Sequence, residues 1–235
     1  MKRFYRAAGV GEAEGGWRVL LDGRPVKSVG GRPQIVPCRA LAAALAAEWA
    51  DQGEEIAPAR FVLRDLADYA IDVVGADRAA AIRALVAYAE TDTLCYRAGP
   101  DEPLWHRQVA VWEPILATAE ARHGVRFERI CGIIHRPQPE ATLLRLGEEL
   151  VTHDDFTLAA LASLAGLAAS LVVALAAIVP DADIAGLWSA AHLEEAWQAE
   201  LWGRDPDAMA RQARRAALFA AAAQMARMLL NPHES

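Results

Sequence analysis

Between Leu158 and Val179 the chain runs for 22 residues, LAALASLAGLAASLVVALAAIV, without a charge. A stretch of that length either crosses a bilayer, which takes about 20 apolar residues of helix, or is buried inside protein. Its make-up separates the two outcomes. Alanine, glycine and serine fill much of it and insert weakly into lipid, no Lys/Arg cluster closes either end, and Asp154 and Asp155 flank its start. Gly166 permits a break into two helices, and faces of small residues let helices approach closely within a bundle. The run therefore predicts the buried centre of a helical bundle and no membrane insertion. The opposite reading, an integral membrane protein, requires that the chain stay in the membrane fraction without detergent.

The sequence on either side supports a bundle. A helix is expected from about Pro139 to Leu150. A second, over Asp183 to Leu201, carries Ile184, Trp188, Ala191, Glu195, Gln198 and Trp202 on one stripe, which places a carboxylate among tryptophans. Asp205-Pro206 provides a cap and a first-turn proline for a long helix bearing Met209, Phe219, Met225 and Leu229, which Asn231-Pro232 stops.

The first third has a different grammar. Trp17–Leu21 and Arg24–Val29 flank Asp22-Gly23, a pair suited to the positive φ of a type I′ hairpin turn. Gln34–Val36 predicts a third strand, and Pro25, which cannot donate to a ladder, predicts an edge. Helices are expected after Pro37, with Leu41, Leu45 and Trp49 inward, and after Pro58, with Val62, Leu66, Tyr69 and Val73 on one face. A third starts at Asp77. The fold class is α+β: an N-terminal domain, residues 1–90, with a small curved antiparallel sheet plus helices, and an all-α helical bundle over residues 91–235.

Joining the two is Tyr88 to Leu116, where polar residues crowd among aromatics. Its second half predicts a helix with Leu104, Gln108, Val111 and Ile115 on a stripe widened by Trp105, Trp112 and Leu116, so an inward Gln108 needs a hydrogen-bonding partner. Asp92, Tyr96, Arg97, Gln108 and Trp112 read as structural groups satisfying a junction. Val125–Ile134 reads as an extended connector.

Several chemistries are excluded by what the chain lacks. The six histidines are scattered, and His192-Leu-Glu-Glu195 lacks the second histidine of a zinc helix, so no metal site is expected. Gly23-Arg-Pro-Val-Lys27-Ser28 resembles the end of a phosphate loop, but Val26 stands where glycine is required, so no nucleotide is expected. Lysine occurs only at positions 2 and 27, which leaves almost no candidate for Schiff-base chemistry. A net charge of -7 argues against a nucleic-acid partner and suits a basic one. Cys38, Cys95 and Cys131 are odd in number and form no CxxC pair, so they read as small buried residues of a reducing compartment. With no apolar run behind the charged start, no secretory signal is expected and no mitochondrial presequence is evident, so the default location is the cytoplasm. Neither catalytic residues nor a cofactor are expected.

Across nearly its whole length the chain resembles the assembly chaperones that hold the α subunit of the catalytic head of ATP synthase. The resemblance rests on FYRxAGVGE, VLLDGRPVKS, AAEWADQGEEIAP, DTLCYRA followed by RQxxxWxP, SLVVALA and EEAWQAELWGRD. It implies a molecular chaperone, and not an enzyme, that binds the unassembled α subunit until it pairs with β. Glu195 matches the acidic residue that family needs, and Trp197, Gln198, Trp202, Gly203 and Asp205 complete its motif; by that resemblance Glu195, Trp197, Gln198, Trp202 and Asp205 are the partner-binding candidates. Departures from the family pattern are Ser28-Val29 for Thr-Pro, Phe61-Val62-Leu63-Arg64 for Met-Pro-x-Thr, Ala169 for glycine and Glu194 for aspartate. The competing reading is a small-molecule enzyme using a junction cleft, with Asp92, Arg97 and Glu195 as acid, anchor and base. A purely structural role for Glu195 would have it held by His192, Arg211 or Arg215.

Overall fold

The computed structural model describes residues 1–132, 134–203 and 205–230. The expected helix stop at Asn231-Pro232 lies outside them. Contacts divide the chain into two compact units. Among the described residues the first comprises Met1–Arg78, Asp154–Ala160 and 224–230, and the second comprises Ala79–His153 and Leu161–Ala223.

In the first unit, β1 (Ala8–Ala13), β2 (Gly16–Leu21) and β3 (Arg24–Pro25) form an antiparallel sheet in that order. Asp22 and Gly23 both have positive φ, 49° and 81°, as a type I′ turn demands. Pro25 occupies the edge. The strand β1 is not legible in the sequence, and the expected Gln34–Val36 strand is reduced to a single bridge between Val36 and Trp17. At that bridge a Cβ on Gly16 would stand 2.3 Å from the Val36 carbonyl oxygen, so only glycine lets the two segments meet.

Helix α1 (Arg39–Ala50) lies on β1 and β2 and buries Leu41, Leu45 and Trp49. Tyr5, Trp49 and Phe61 pack ring to ring, with centroids 5.5 and 4.5 Å apart. The start of α2 (Val62–Tyr69) has no side-chain cap of its own. Glu48 on α1 supplies it, accepting the Leu63 and Arg64 N–H groups at 2.7 and 2.9 Å. The inward face of this helix is not the expected one. Tyr69 and Val73 are 39% and 50% exposed, whereas Leu63, Ala67 and Asp68 are buried. The face is set by Asp68, which turns inward to accept Gln34 Nε2 at 2.6 Å and the Val29 N–H at 3.1 Å, and by the π-helical turn Ala70–Val74, which shifts the phase of the last residues.

The second unit is helical. It contains α3 (Arg78–Glu90), which begins at the last residue of the first unit, then the strand β4 (Tyr96–Arg97), α4 (Pro103–His123), β5 (Ile130–Cys131) and α5 (Glu140–Val151). The connector expected to be merely extended pairs in parallel with β4 through β5, which leaves Cys131 exposed rather than buried. On α4 the inward residues are Gln108, Trp112, Leu116 and Ala119, while Val111 faces outward.

The uncharged run breaks, but not at Gly166. Helix α6 (Asp155–Ala168) ends in a residue of positive φ, Ala169 at 49°, and α7 (Leu171–Ala177) follows. The Ser170 N–H reaches back to the Ala165 carbonyl at 3.3 Å, the bond of a Schellman ending, in which the positive-φ position is ordinarily glycine. Gly166 instead allows Tyr88 Oη to come within 3.3 Å of where its Cβ would be. Among the described residues no helix is long and apolar enough to cross a membrane.

The expected helix over Asp183 to Leu201 is two, α8 (Ile184–Ala191) and α9 (Leu193–Trp202), separated at His192. The Ala190 carbonyl accepts the Trp112 indole N–H at 2.7 Å, and the Trp188 carbonyl lies 2.9 Å from His192 Nδ1, so side chains compete with the backbone for the carbonyls that a continuous helix would use. The last helix, α10 (Pro206–Leu230), is capped by Asp205, whose carboxylate accepts the Asp207 N–H at 3.0 Å.

Candidate functional site

The junction residues are all engaged. Asp92 is fully buried and accepts the Leu94 and Val172 N–H groups and the Ser170 hydroxyl at 2.7 to 3.1 Å, tying the start of α7 to the segment before β4. Burial pushes its pKa up to about 6, against the pull of the Val172 N–H and Ser170. Tyr96 Oη lies 2.9 Å from His135 Nδ1. Arg97 donates to Glu113 at 2.6 Å, and Arg129 bridges Glu113, at 2.7 Å, to the buried Glu120. Hydrogen bonds from Arg129 hold the Glu113 carboxyl below the usual range. Burial works against ionisation of Glu120, but Arg129 and the Phe127 N–H outweigh it, and its pKa is also lowered.

Gln108, fully buried on α4, accepts the Ala98 N–H at 2.8 Å and donates to Glu194 at 2.6 Å. Together with the bond from Trp112 to Ala190, it fixes the start of α9 from α4. The adjacent carboxylate, Glu195, points to α10, where Gln212 Nε2 donates to it at 3.1 Å. Between α8, α9 and α10 runs a groove of about 370 Å³ lined by Trp188, His192, Glu195, Asp205, Met209 and Gln212, with Ala196, Ala199 and Ala208 along its length. His192 stacks on Trp188 at 3.7 Å between centroids, and burial lowers its pKa against the pull of the Trp188 carbonyl. The ring is thus biased neutral, with Nδ1–H donating to that carbonyl.

The remaining candidates surround this groove unevenly. Trp197 lies under the Arg107 guanidinium at 5.5 Å, and Arg107 is itself paired with Glu200 at 2.6 and 2.9 Å. Gln198 is exposed, and Trp202 projects from the end of α9 with 85% of its surface accessible. None of the residues expected to hold Glu195 in a structural role does so by a hydrogen bond. His192 faces the Trp188 carbonyl, Arg215 donates to the Leu167 carbonyl at 3.0 Å, and Arg211 lies 3.9 Å from Asp205. Gln212 is not legible as the partner, since nothing local links it to a residue 17 positions earlier. Asp92, Arg97 and Glu195, the alternative acid, anchor and base, are directed to Ser170, Glu113 and Gln212 respectively. Among the described residues no group of three or more His, Cys, Asp and Glu side chains is arranged to hold a metal.

Residues 2–120 match the family model of the ATP12 chaperone protein. The chain belongs to the ATP12 chaperone family. Its fold is shared with Atp12 from Paracoccus denitrificans at 35% identity and a TM-score of 0.90, with 97% of each chain covered, and equally with a mutant of that protein. The Atu1473 protein of Agrobacterium tumefaciens, a putative chaperone, matches at 35% identity and a TM-score of 0.91, over 97% of this chain and 86% of that one. The α+β architecture, a small antiparallel sheet followed by helices, is that of the ATP12 fold.

Proposed function

We propose that this chaperone of ATP synthase assembly binds the unassembled α subunit until it pairs with β, and that Glu195 is a principal contact. The observation supporting Glu195 is its place in the wall of the groove between α8, α9 and α10. Two neighbouring exposed carboxylates begin α9, and each accepts one neutral glutamine amide, Glu194 from Gln108 on α4 and Glu195 from Gln212 on α10; of the two, Glu195 lines the groove. A neutral hydrogen bond leaves the charge of Glu195 uncompensated, so a cationic group of a partner adds an interaction that the free chaperone lacks. Trp202, Trp197, Gln198 and Asp205 supply the surrounding contact surface. Trp202 is the natural anchor, because a large exposed indole gains most from burial in a complex.

The test is Glu195→Gln, which keeps shape and hydrogen-bonding capacity and removes the charge. The variant should retain its melting temperature within a few degrees, yet capture less α subunit from a lysate containing unassembled synthase subunits and support less synthase assembly. A stable variant that captures α normally removes Glu195 from the contact. Loss of stability before loss of capture gives the residue back to the fold.

A further inference from the structure

The sheet of the first unit has an edge with no part in that reading. We propose that this edge, the outer side of β1, binds an extended apolar segment of a partner polypeptide by adding it to the three-stranded sheet as a further strand. In an antiparallel pair, residues that exchange hydrogen bonds alternate with residues that do not. The Asp22 N–H donates to the Ala7 carbonyl at 3.0 Å and Ala8 stands opposite Leu21, so Gly9, Gly11 and Ala13 are the residues of β1 that bond to β2. The far side of β2 gives the same parity, since Trp17 exchanges bonds with Val36 and Val19 accepts the Val26 N–H. The N–H and C=O groups of Ala8, Val10 and Glu12 therefore point away from the sheet, and among the described residues no hydrogen bond reaches them.

The two sides of the sheet are finished differently. Beyond β2 the chain closes its own ladder, with Pro25 at the rim and Val36 bridged to Trp17. Proteins ordinarily blunt a free edge with a proline, a lysine or a bulge. The strand β1 has neither proline nor lysine, its register runs unbroken from Ala8 to Ala13, and its one charge, Glu12, stands at the end next to the turn. What it offers is the paired N–H and C=O groups of Ala8, Val10 and Glu12, on alternate residues of one strand. That spacing of donors and acceptors is complementary to another backbone in extended conformation.

Side chains set what that backbone carries. Ala8 and Val10 lie opposite the buried Leu21 and Val19 and are themselves half-buried, so a partner residue bonded to Val10 brings its side chain to the margin of the core. The other face carries Gly9, Gly11 and Ala13, with Leu20 leaning across it. A Cβ on Gly11 would stand 2.7 Å from Leu20 Cδ1, whereas one on Gly9 would meet nothing within 4 Å. This bare strip beside a half-buried leucine takes a large side chain lying across the glycines, as aromatic residues do from a neighbouring strand. A second copy of this chain is a poor occupant, because pairing Val10 with its counterpart sets glycine opposite glycine and brings together two chains that each carry a net charge of -7. The fitting segment is uncharged and alternates large apolar residues over Gly9 and Gly11 with β-branched ones beside Val10.

The full-length protein can be titrated with a fluorescein-labelled Ser-Thr-Phe-Val-Phe-Thr-Ser peptide and read by polarisation. Two modified forms are the matched probes, one N-methylated at both threonines and the valine, the other at both phenylalanines. With its valine opposite Val10, the peptide presents the first set of N–H groups to β1 and the second set to solvent. The parent and the phenylalanine-methylated form should bind alike, and the threonine- and valine-methylated form about tenfold more weakly. On the protein, Val10→Pro removes an outward N–H and leaves the ladder to β2 whole, so it should weaken the parent peptide about tenfold with an unchanged far-ultraviolet circular dichroism spectrum. If that variant unfolds, the two methylated peptides decide alone. No binding of the parent, equal binding of the methylated forms, loss confined to the phenylalanine-methylated form, or indifference to a folded Val10→Pro each overturns the proposal. A dimer in sedimentation that Val10→Pro dissociates assigns the edge to a second copy and overturns it as well. None of these outcomes bears on Glu195 or the α subunit.

Discussion

Two parts of the second unit are rich in polar side chains, and they use them in opposite ways. Around β4 and α4, Arg97, Glu113, Arg129 and Glu120 alternate in charge and bond to one another, while Asp92 and Gln108 are buried against backbone donors. In the groove between α9 and α10, Glu195 meets a single neutral amide, and outside it, at the end of α9, Trp202 meets solvent. Polar density in the sequence thus marks structure at the junction, where every group needs an internal partner. At the groove a carboxylate beside Trp188 holds one neutral donor, the arrangement on which the proposed contact with a partner rests.

The contrast is broken most directly at Arg129. Arg129→Ala leaves the buried Glu120 with Arg126 as its remaining ion-pair partner, and should cost about 3 kcal/mol, a fall of roughly 6–12 °C in melting temperature. A loss under about 1 kcal/mol would class the network with ordinary surface pairs and erase the distinction.

Asp92 gives the next largest effect, through pH. Its folded-state pKa of about 6 lies above the ordinary 3.8, so protonation favours the fold. The contribution is complete below about pH 4 and is lost as pH rises through about 6. Urea unfolding should therefore show wild-type stability, relative to Asp92→Asn, falling by about 3 kcal/mol between about pH 4 and about pH 7. A flat difference would mean that water reaches this carboxylate.

At Ala169 the junction holds an L residue with positive φ, while its carbonyl accepts the Thr93 N–H and hydroxyl at 3.1 and 2.9 Å. Ala169→Gly should raise stability by about 1 kcal/mol by relieving that conformation. If calorimetry instead finds destabilisation, backbone freedom outweighs the relief. Smallest of all is the thermal effect of Glu195→Gln, within about 0.5 kcal/mol of wild type, because a partly solvated carboxylate with one neutral donor contributes little to the fold.

Much of this architecture is legible in the sequence because it depends on local rules. The Asp22-Gly23 turn, the stripe of Leu41, Leu45 and Trp49, and the Asp205-Pro206 start each follow from a few adjacent residues. The strand β1 escapes because GVGE within it offers little apolar alternation, and it is fixed by pairing with β2 rather than by its own preference. The break at Ala169 escapes for a related reason. Helix endings are read from glycine, and here the glycine lies three positions too early. The division of labour between Glu194 and Glu195 is beyond local reading, since it is set by Gln108 and Gln212, one 86 positions before and the other 17 after.

One bond in the first unit also bears on the order in which the chain takes shape. The cap of α2 is a residue of α1, so the first turn of α2 is complete only where α1 is already wound and in place. A segment of eight residues gains little from nucleating alone. Its winding is therefore coupled to docking, and because Glu48 precedes it in the chain, α1 can be present as a template when α2 is synthesised. The carboxylate that closes the start of α2 therefore ties the stability of the second helix to that of the first, by about 1 kcal/mol.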